Sequence, residues 1–196
     1  HSDEEHDPHS PNIGSDSPIK RFLYSHFGWL FDIEQPDLER YVPDLISDKD
    51  LRFINRLFPL WVALGLAIPT VLGGVITGTW VGALTGLLWG GIIRIGLEHH
   101  VTWSVNSVCH IWGKQPYESR DHSRNNPVVG VLALGEGWHN NHHAFPTSAR
   151  HGLAWWQFDA TWVAIRLMSF VGMAKNIKTP TTERMDRSRK VAQERS

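Results

Sequence analysis

The centre of the chain carries a long apolar stretch that predicts two membrane-spanning helices. Residues 57–78 and 79–93 contain no charged side chain, and glycines are frequent where the two segments meet. At about 1.5 Å per residue, two helices separated near residues 73–82 each approach the roughly 30 Å thickness of the hydrocarbon layer. A buried hairpin of a soluble protein is the alternative, but such helices normally carry a polar face. The pattern therefore favours a transmembrane hairpin over residues 57–100, packed through small residues.

The segments on either side of this hairpin are polar and follow other patterns. Residues 1–20 are acidic, rich in histidine and interrupted by proline and glycine, which indicates a loop. Residues 21–35 concentrate aromatic side chains, as in a helix at a membrane interface, and residues 36–56 have apolar positions at helical spacing around Pro43. We therefore predict an all-α protein in four parts: a loop with interfacial helices (1–56), the hairpin (57–100), a helical cap rich in histidine (101–180) and a charged tail (181–196).

Basic residues near the hairpin predict its orientation. Lys49, Arg52 and Arg56 precede the first span, Lys114 and Arg120 follow the second, and the turn between the spans has no Lys or Arg. Loops that face the cytoplasm carry an excess of such residues. Both ends of the hairpin are therefore expected on the cytoplasmic side, where the polar segments that carry histidine can share one site.

Composition excludes several classes of function. The formal net charge is −1, and the basic residues of the tail alternate with acidic ones, so no nucleic acid partner is predicted. The single cysteine, Cys109, rules out an intrachain disulfide and a CxxC site. The composition is instead notable for its twelve histidines and ten tryptophans.

The densest group of histidines is GEGWHNNHHAFP at residues 135–146. On a helix, His139, His142 and His143 stand at i, i+3 and i+4, so their imidazoles project from one face and can converge on a metal ion. Imidazole suits iron, zinc and copper. The alternative is an interfacial cluster of histidines satisfied by hydrogen bonds.

A second group, HHVTWSVNSVCH, covers residues 99–110. His110 falls at the cytoplasmic end of the second span, and an ionisable residue at such a depth is a functional candidate. Asn106 lies one turn earlier and is expected to bind metal through water or to orient a ligand ring. For His99 and His100 we favour an interfacial position without ligand duty.

A third group of polar residues lies in the first stretch, HSDEEHDPHSP at residues 1–11. Pro8 and Pro11 favour turn and capping roles over a metal site for its members. The residues concerned are Asp3, Glu4, Glu5, His6, Asp7 and His9.

Four strings in this order resemble the membrane-bound fatty acid desaturases of the delta-9 acyl-CoA or stearoyl type. They are DPHSP at 7–11, SHFGW at 25–29, NSVCHIWGKQPY at 106–117 and GEGWHNNHHAFP at 135–146. The resemblance extends to about Pro180. It implies a protein with four transmembrane helices, of which the hairpin is the last two, and a cytoplasmic cap that holds two iron ions among histidines.

The resemblance also implies a ligand set. The third histidine box of the family matches His139, His142 and His143, the histidine after the last membrane helix matches His110, and Asn106 matches an asparagine that binds one metal through water. The HxxxxH and HRxHH boxes are not in this chain, and His1 corresponds to a position just past HRxHH. We therefore expect the sequence to be the C-terminal part of a longer protein, with about half of a metal site.

The implied function is O2-dependent introduction of a cis double bond, at the delta-9 position by default, into a long-chain acyl-CoA or acyl-lipid. Thr102 and Trp103 are candidate walls of the substrate tunnel. Without a GxGxxG or CxxCH motif in the chain, an external electron donor of the cytochrome b5 or ferredoxin type is implied.

One departure from the family concerns the acyl carrier. Animal acyl-CoA enzymes have basic residues just after SHxGW, whereas this chain has Phe31, Asp32, Ile33 and Glu34. Acidic side chains repel the phosphates of coenzyme A, which keeps an acyl-lipid or carrier-protein substrate open.

Two other functions fit the same motifs. A hydroxylase acting on alkanes, sterols or carotenoids uses similar histidine boxes. A noncatalytic membrane protein with structural or zinc-storing histidines belongs to a different class.

Overall fold

The computed structural model describes residues 3–4, 7–31 and 37–195, and within these ranges the protein is helical and has no β-strand. The all-α prediction is confirmed for this part of the chain. The helices are α1 (Pro18–His26), α2 (Leu38–Tyr41), α3 (Pro43–Ser47), α4 (Lys49–Arg56), α5 (Phe58–Thr77), α6 (Trp80–Thr85), α7 (Arg94–Ser107), α8 (Pro127–Leu132), α9 (His139–Ala144), α10 (Ala160–Phe170) and α11 (Thr182–Arg195). Short 3-10 turns cover Gly28–Phe31 and Val108–His110, and a π-helix covers Gly86–Ile93.

The chain forms two compact units. One unit comprises residues 1–31 together with 100–196, and the other comprises residues 32–99. The functional division predicted from the sequence, at residues 56, 100 and 180, stays a prediction.

Among the described residues, two helical stretches are long and apolar enough to cross a membrane. They are Phe58–Thr77 and Trp80–His110, of 20 and 31 residues. Apolar side chains such as Val75, Ile76 and Trp80 are exposed to the surroundings rather than buried in the protein. A helix that is apolar and unburied is the type that lipid accommodates.

In the unit formed by residues 32–99, the end of α5 and the start of α6 are determined by two adjacent residues. Gly78 adopts the left-handed conformation, with φ 66°, which ends α5. Thr79 then caps α6 by accepting a hydrogen bond of 3.0 Å from the Gly82 backbone N–H. Helices α5 and α6 pack closely there, since a Cβ atom on Gly73 would collide with the carbonyl oxygen of Gly82.

The amphipathic stretch before α5 folds as three short helices rather than one. Pro43 occupies the first turn of α3, and Asp48 caps α4 by accepting hydrogen bonds from the backbone of Asp50 and Leu51. A single helix would have needed the N–H that proline lacks.

The other unit has a small apolar core below the histidines. Val105, Cys109 and Val129 are buried together. Trp138 is also buried, and its indole N–H donates to the carbonyl of Phe158 at 2.7 Å. This core joins the end of α7 to α8 and to the residue that immediately precedes α9.

The charged tail forms α11 and contacts the rest of its unit. Arg189 donates to the hydroxyl of Tyr117 at 3.1 Å. The Ser188 hydroxyl accepts from the backbone N–H of Glu118 at 3.0 Å. One face of the helix is therefore held, although ion pairs such as Glu183 with Arg187 stay exposed.

Candidate metal centre

A tight backbone contact positions α9, which carries the histidines of GEGWHNNHHAFP. Gly137 approaches Gly130 of α8 so closely that a Cβ atom at residue 137 would collide with the Gly130 backbone nitrogen. Because no other residue lacks a Cβ, this position requires glycine. The contact places Trp138 in the core and lets α9 begin immediately after it.

The two asparagines of the same motif anchor α9 from within. Asn140 bonds both backbone groups of Tyr117, accepting from its N–H at 2.9 Å and donating to its carbonyl at 3.0 Å. Asn141 accepts from Asn125 at 2.6 Å and donates to the carbonyl of His151 at 2.7 Å. Both asparagines are fully buried, so unsatisfied amide groups would be costly here.

Three of the predicted ligands lie together. The ligand atoms of His110, His139 and His143 are all within 4.8 Å of one another. The Nε2 atoms of His110 and His139 are 3.1 Å apart, and the ring centroids of His139 and His143 are 4.3 Å apart. His110 comes from the end of the second apolar stretch, so two distant sequence motifs contribute to one cluster.

The electrostatics of this cluster suit a cation. Burial lowers the pKa of His139 well below its usual value, and the neighbouring His143, His110 and His142 lower it further. The imidazole of His139 is therefore neutral at physiological pH, which is the form that binds metal. Three converging imidazoles, of which His139 is buried and neutral, fit a transition metal ion such as iron.

A carboxylate fixes the ring of His110. Asp3 Oδ2 lies 2.9 Å from His110 Nδ1, and only 4% of each side chain is exposed. Burial opposes ionisation of Asp3, but hydrogen bonds from His110, Ser10, His122 and Asn12 outweigh it and lower the Asp3 pKa. An ionised Asp3 accepts a hydrogen bond from the Nδ1–H of His110, which orients the ring so that Nε2 faces the cluster.

A second carboxylate contacts His143. Asp121 Oδ2 bonds to His143 Nδ1. Burial again opposes ionisation, but the bonds from His143 and Ser123 prevail and lower the Asp121 pKa. Two of the three clustered histidines thus have the carboxylate partner that metal-binding histidines commonly have.

His142 lies outside this group of three. Adjacent residues on a helix point about 100° apart, so the side chains of His142 and His143 leave α9 in different directions. The ring of His142 packs on His151 with a centroid distance of 4.6 Å, and its buried Nδ1 has no hydrogen-bond partner in the described structure. Burial, together with His151 and His143, lowers its pKa to about 4. His142 is thus a neutral imidazole with an unused nitrogen.

The other predicted site residues lie along α7. Asn106 is half-buried and four residues before His110, and its role as a ligand through water stays a prediction. Thr102 is exposed, whereas the Trp103 ring contacts those of His26 and His100 at 5.8 and 5.1 Å. Their role as tunnel walls also stays a prediction.

The histidines given no ligand duty have other partners. His100 Nδ1 is 3.0 Å from His26 Nε2, and His99 Nδ1 is 2.7 Å from the carbonyl of Ile95. Near the start of the chain, His9 packs against Trp29, with ring centroids 4.5 Å apart. The predictions made for Glu5, His6 and the acidic pair Asp32 and Glu34 fall outside the described residues.

Sequence reasoning missed four residues that build the site. It gave Asp3 a turn or capping role and did not single out Asp121, Asn140 or Asn141. The sequence did contain a signal for the two asparagines. Two amide side chains within a histidine motif indicate that the helix is held by hydrogen bonds to buried partners. Asp121 is a single acidic residue in a loop, and the local sequence gave no signal of its role.

Comparisons with known proteins assign the chain to a family. A sequence model of the family described as fatty acid desaturase matches residues 1–169. The chain belongs to the fatty acid desaturase family. The resemblance seen in the motifs is thereby confirmed, and the histidine cluster lies within the matched region.

Several curated desaturases and one acetylenase are similar to this chain. It is 44% identical over 182 residues to an sn-1 stearoyl-lipid 9-desaturase of Synechocystis sp., covering 91% of this chain and 52% of that protein. It is 42% identical over 191 residues to a hex-5-enoyl-[acyl-carrier protein] acetylenase of Moorena producens, covering 95% and 60%. An acyl-CoA C20 delta5-desaturase of Anemone leveillei is 41% identical over 179 residues, covering 89% and 52%. The chain thus spans about half to three fifths of the length of these relatives.

Proposed function

We propose that this chain forms the C-terminal half of the catalytic machinery of an O2-dependent di-iron desaturase, which introduces a cis double bond into a long-chain fatty acyl substrate. The observation that carries the proposal is the convergence of His110, His139 and His143, whose ligand atoms lie within 4.8 Å of one another. Membership of the fatty acid desaturase family indicates the reaction for which this cluster would be used.

In the proposed site His110, His139, His142 and His143 bind iron directly, and Asn106 binds through water. The remaining ligands come from the HxxxxH and HRxHH boxes that the family resemblance implies. His142 contributes the nitrogen for which the described residues offer no partner. When bound, the iron pair supplies the O2-dependent oxidation that removes two hydrogens from neighbouring methylene groups, with electrons from an external cytochrome b5- or ferredoxin-type donor.

The protein's own residues hold and orient these ligands. Asp3 and Asp121 maintain the tautomers of His110 and His143, and Asn140 and Asn141 hold α9 in place. No acid or base is required to break an unactivated C–H bond, so the chain needs no catalytic triad. Positioning the acyl chain is the main remaining task, and Thr102 and Trp103 are proposed to line its path.

For the substrate we favour an acyl-lipid with the new bond at delta-9. The Synechocystis relative is named for that lipid activity, and the acidic residues after SHFGW disfavour coenzyme A. The two apolar stretches are proposed to form a hairpin in the membrane, with both ends and the metal site on the cytoplasmic side, as the flanking basic residues indicate.

The test is expression of the complete encoded polypeptide in a host that lacks its own desaturase, followed by mass spectrometry of the cellular fatty acids. We expect cis-monounsaturated acyl chains with the wild-type protein and none with His139→Ala. The control is His122→Ala, which removes an exposed imidazole of the same unit and keeps the backbone N–H that bonds Asp3.

Each alternative predicts a different result. Hydroxylated products that depend on His139 would indicate a hydroxylase. Unchanged fatty acids in all strains, together with purified protein that contains no iron, would indicate a noncatalytic membrane protein.

A further inference from the structure

A cavity of about 250 Å³ is lined in part by the loop that follows the histidine box. Its walls come from that loop, from α10 and from the segment that precedes and enters α11, and include Arg150, Trp162, Arg166, Thr179 and Met185. None of these residues belongs to the candidate metal centre. The cavity therefore needs an explanation of its own.

Two guanidinium groups give this cavity its charge. Arg150 is half-buried and Arg166 exposed, and within the described parts of the chain neither forms an ion pair with a carboxylate. Asp159, the acidic residue that caps α10, accepts hydrogen bonds from the backbone N–H groups of His151, Gly152 and Trp162 instead. Two like charges that line one small cavity without a counter-charge favour an anion between them.

The arginines are also oriented. Arg150 Nε donates to the carbonyl of Gly152 at 2.5 Å, and the guanidinium of Arg166 lies over the ring of Trp162, 5.7 Å from its centroid. These contacts leave terminal N–H groups available for a ligand. A guanidinium fork matches the oxygens of phosphate.

The surroundings of the cavity indicate where the anion comes from. Arg166 lies on α10, a short apolar helix on which Val163, Leu167 and Phe170 are exposed, Phe170 by 91%. Phenylalanine and aliphatic side chains that stand exposed on the same helix as an arginine are typical of an element at the boundary between lipid and water. A soluble anionic metabolite would not require exposed apolar side chains on the helix that binds it.

Size restricts the ligand further. Pockets for whole drug-sized molecules measure about 300–1,000 Å³. A cavity of about 250 Å³ is below this range. It admits a phosphate with part of its headgroup, while the acyl chains remain outside, beside the exposed apolar residues.

We infer that Arg150 and Arg166 bind the phosphodiester of a membrane phospholipid in this cavity. Arg150 directly precedes His151, whose ring packs on His142 at 4.6 Å, so one wall residue of the cavity is the sequence neighbour of a residue that contacts the histidine box. The site holds a lipid at the edge of the catalytic unit whether that lipid is substrate or a structural neighbour, and the inference does not depend on the proposed desaturation.

The experiment measures equilibrium binding of dihexanoyl-phosphatidylglycerol, at concentrations below micelle formation, to the complete purified polypeptide in a neutral detergent. Dihexanoylglycerol, which lacks the phosphate, and coenzyme A, which carries phosphate without a diacylglycerol, are the comparison ligands. Neither O2 nor an electron donor is present, so an inactive enzyme still gives a result.

Arg166→Gln is the principal variant, because the Arg166 side chain donates no hydrogen bond within the described residues and its loss should not disturb the fold. We expect its affinity for the phospholipid to fall roughly 10- to 100-fold, the effect of removing a charge-assisted hydrogen bond. Arg150→Gln should act in the same direction. The matched control is Arg187→Gln on α11, which removes an exposed arginine that does not line the cavity.

Two results would overturn the inference. One is equal phospholipid affinity in Arg166→Gln, Arg187→Gln and wild type, with thermal melting showing that all three are folded. The other is binding of coenzyme A with the same arginine dependence and no binding of the phospholipid, which would assign the cavity to a soluble phosphate compound.

Discussion

The Nε2 atoms of His110 and His139 lie 3.1 Å apart, although 29 residues separate the two histidines along the chain. Since an ionised Asp3 accepts from the Nδ1–H of His110, the Nε2 of His110 is directed at this contact. Without metal, a proton on one of the two Nε2 atoms makes the contact a hydrogen bond. A cation bound by both nitrogens would replace that proton and be stabilised by both lone pairs. The geometry therefore leads directly to a prediction about metal.

Ferrous iron should stabilise the complete polypeptide through these histidines. At a free iron concentration of 100 times Kd, binding raises the unfolding free energy by about 2.7 kcal/mol, so the melting temperature should rise. His110→Ala combined with His139→Ala should abolish this rise, and His122→Ala should keep it. Anaerobic melting curves with and without iron measure the effect, and an equal rise in the double variant would contradict the assignment.

Asp3→Asn should weaken iron binding through His110. The amide has no negative charge, so it holds the Nδ1 proton of His110 less firmly and makes Nε2 a poorer donor. Loss of such a carboxylate partner typically lowers metal affinity roughly 10- to 100-fold. Iron content after dialysis against a graded chelator measures the change. The control is Asp16→Asn, which alters an exposed carboxylate of the same loop.

Asp121→Asn should have the corresponding effect through His143, whose Nδ1 bonds this carboxylate. Because the Asp121 pKa is lowered, the group is ionised over the physiological range, and the substitution removes a full charge from the site. We expect a further loss of iron affinity of roughly 10- to 100-fold. Combining it with Asp3→Asn should reduce affinity more than either alone. Iron affinity equal to that of the wild type in both single variants would mean that these carboxylates do not contribute to iron binding.

Gly82→Val should destabilise the packing of α5 against α6. A Cβ atom at residue 82 would collide with the Thr77 side chain and approach the Gly73 carbonyl, so the helices would have to separate. Forcing extra atoms into a packed interface costs about 1–3 kcal/mol. The yield of detergent-stable protein and its melting temperature measure the loss. Gly96→Val is the control, because a Cβ atom at that position has no neighbour within 4 Å.

Local sequence patterns predicted the helix that carries the histidines, but not the direction in which each histidine side chain points. The i, i+4 spacing of His139 and His143 placed both on one face of a helix, and the structure brings them together. The adjacent positions of His142 and His143 indicated, by contrast, that their side chains leave the helix about 100° apart. Residues at i, i+3 and i+4 share one face of a helix only if that face is taken to be about 100° wide. His142 lies at one edge of this face, away from His143.

Contacts between distant segments could not be predicted from local pattern. Asp3 and His110 are 107 residues apart, and nothing in the acidic run at the start of the chain distinguishes Asp3 from its neighbours. The π-helix at Gly86–Ile93 was also unpredicted, because an apolar run rich in glycine has no periodicity that separates one helix type from another. By contrast, the two apolar stretches were predicted from composition alone.

The carboxylate of Asp3 also accepts the backbone N–H of His122 at 2.7 Å, in addition to its bonds with His110, Ser10 and Asn12. One side chain therefore links the loop at the start of the chain, the end of the second apolar stretch and the loop around residue 122. Loss of this carboxylate would release all three at once, and metal bound through His110 should in turn protect the loops that Asp3 joins from proteolysis. Resistance to digestion thus reports on occupancy of a centre that the protease never touches.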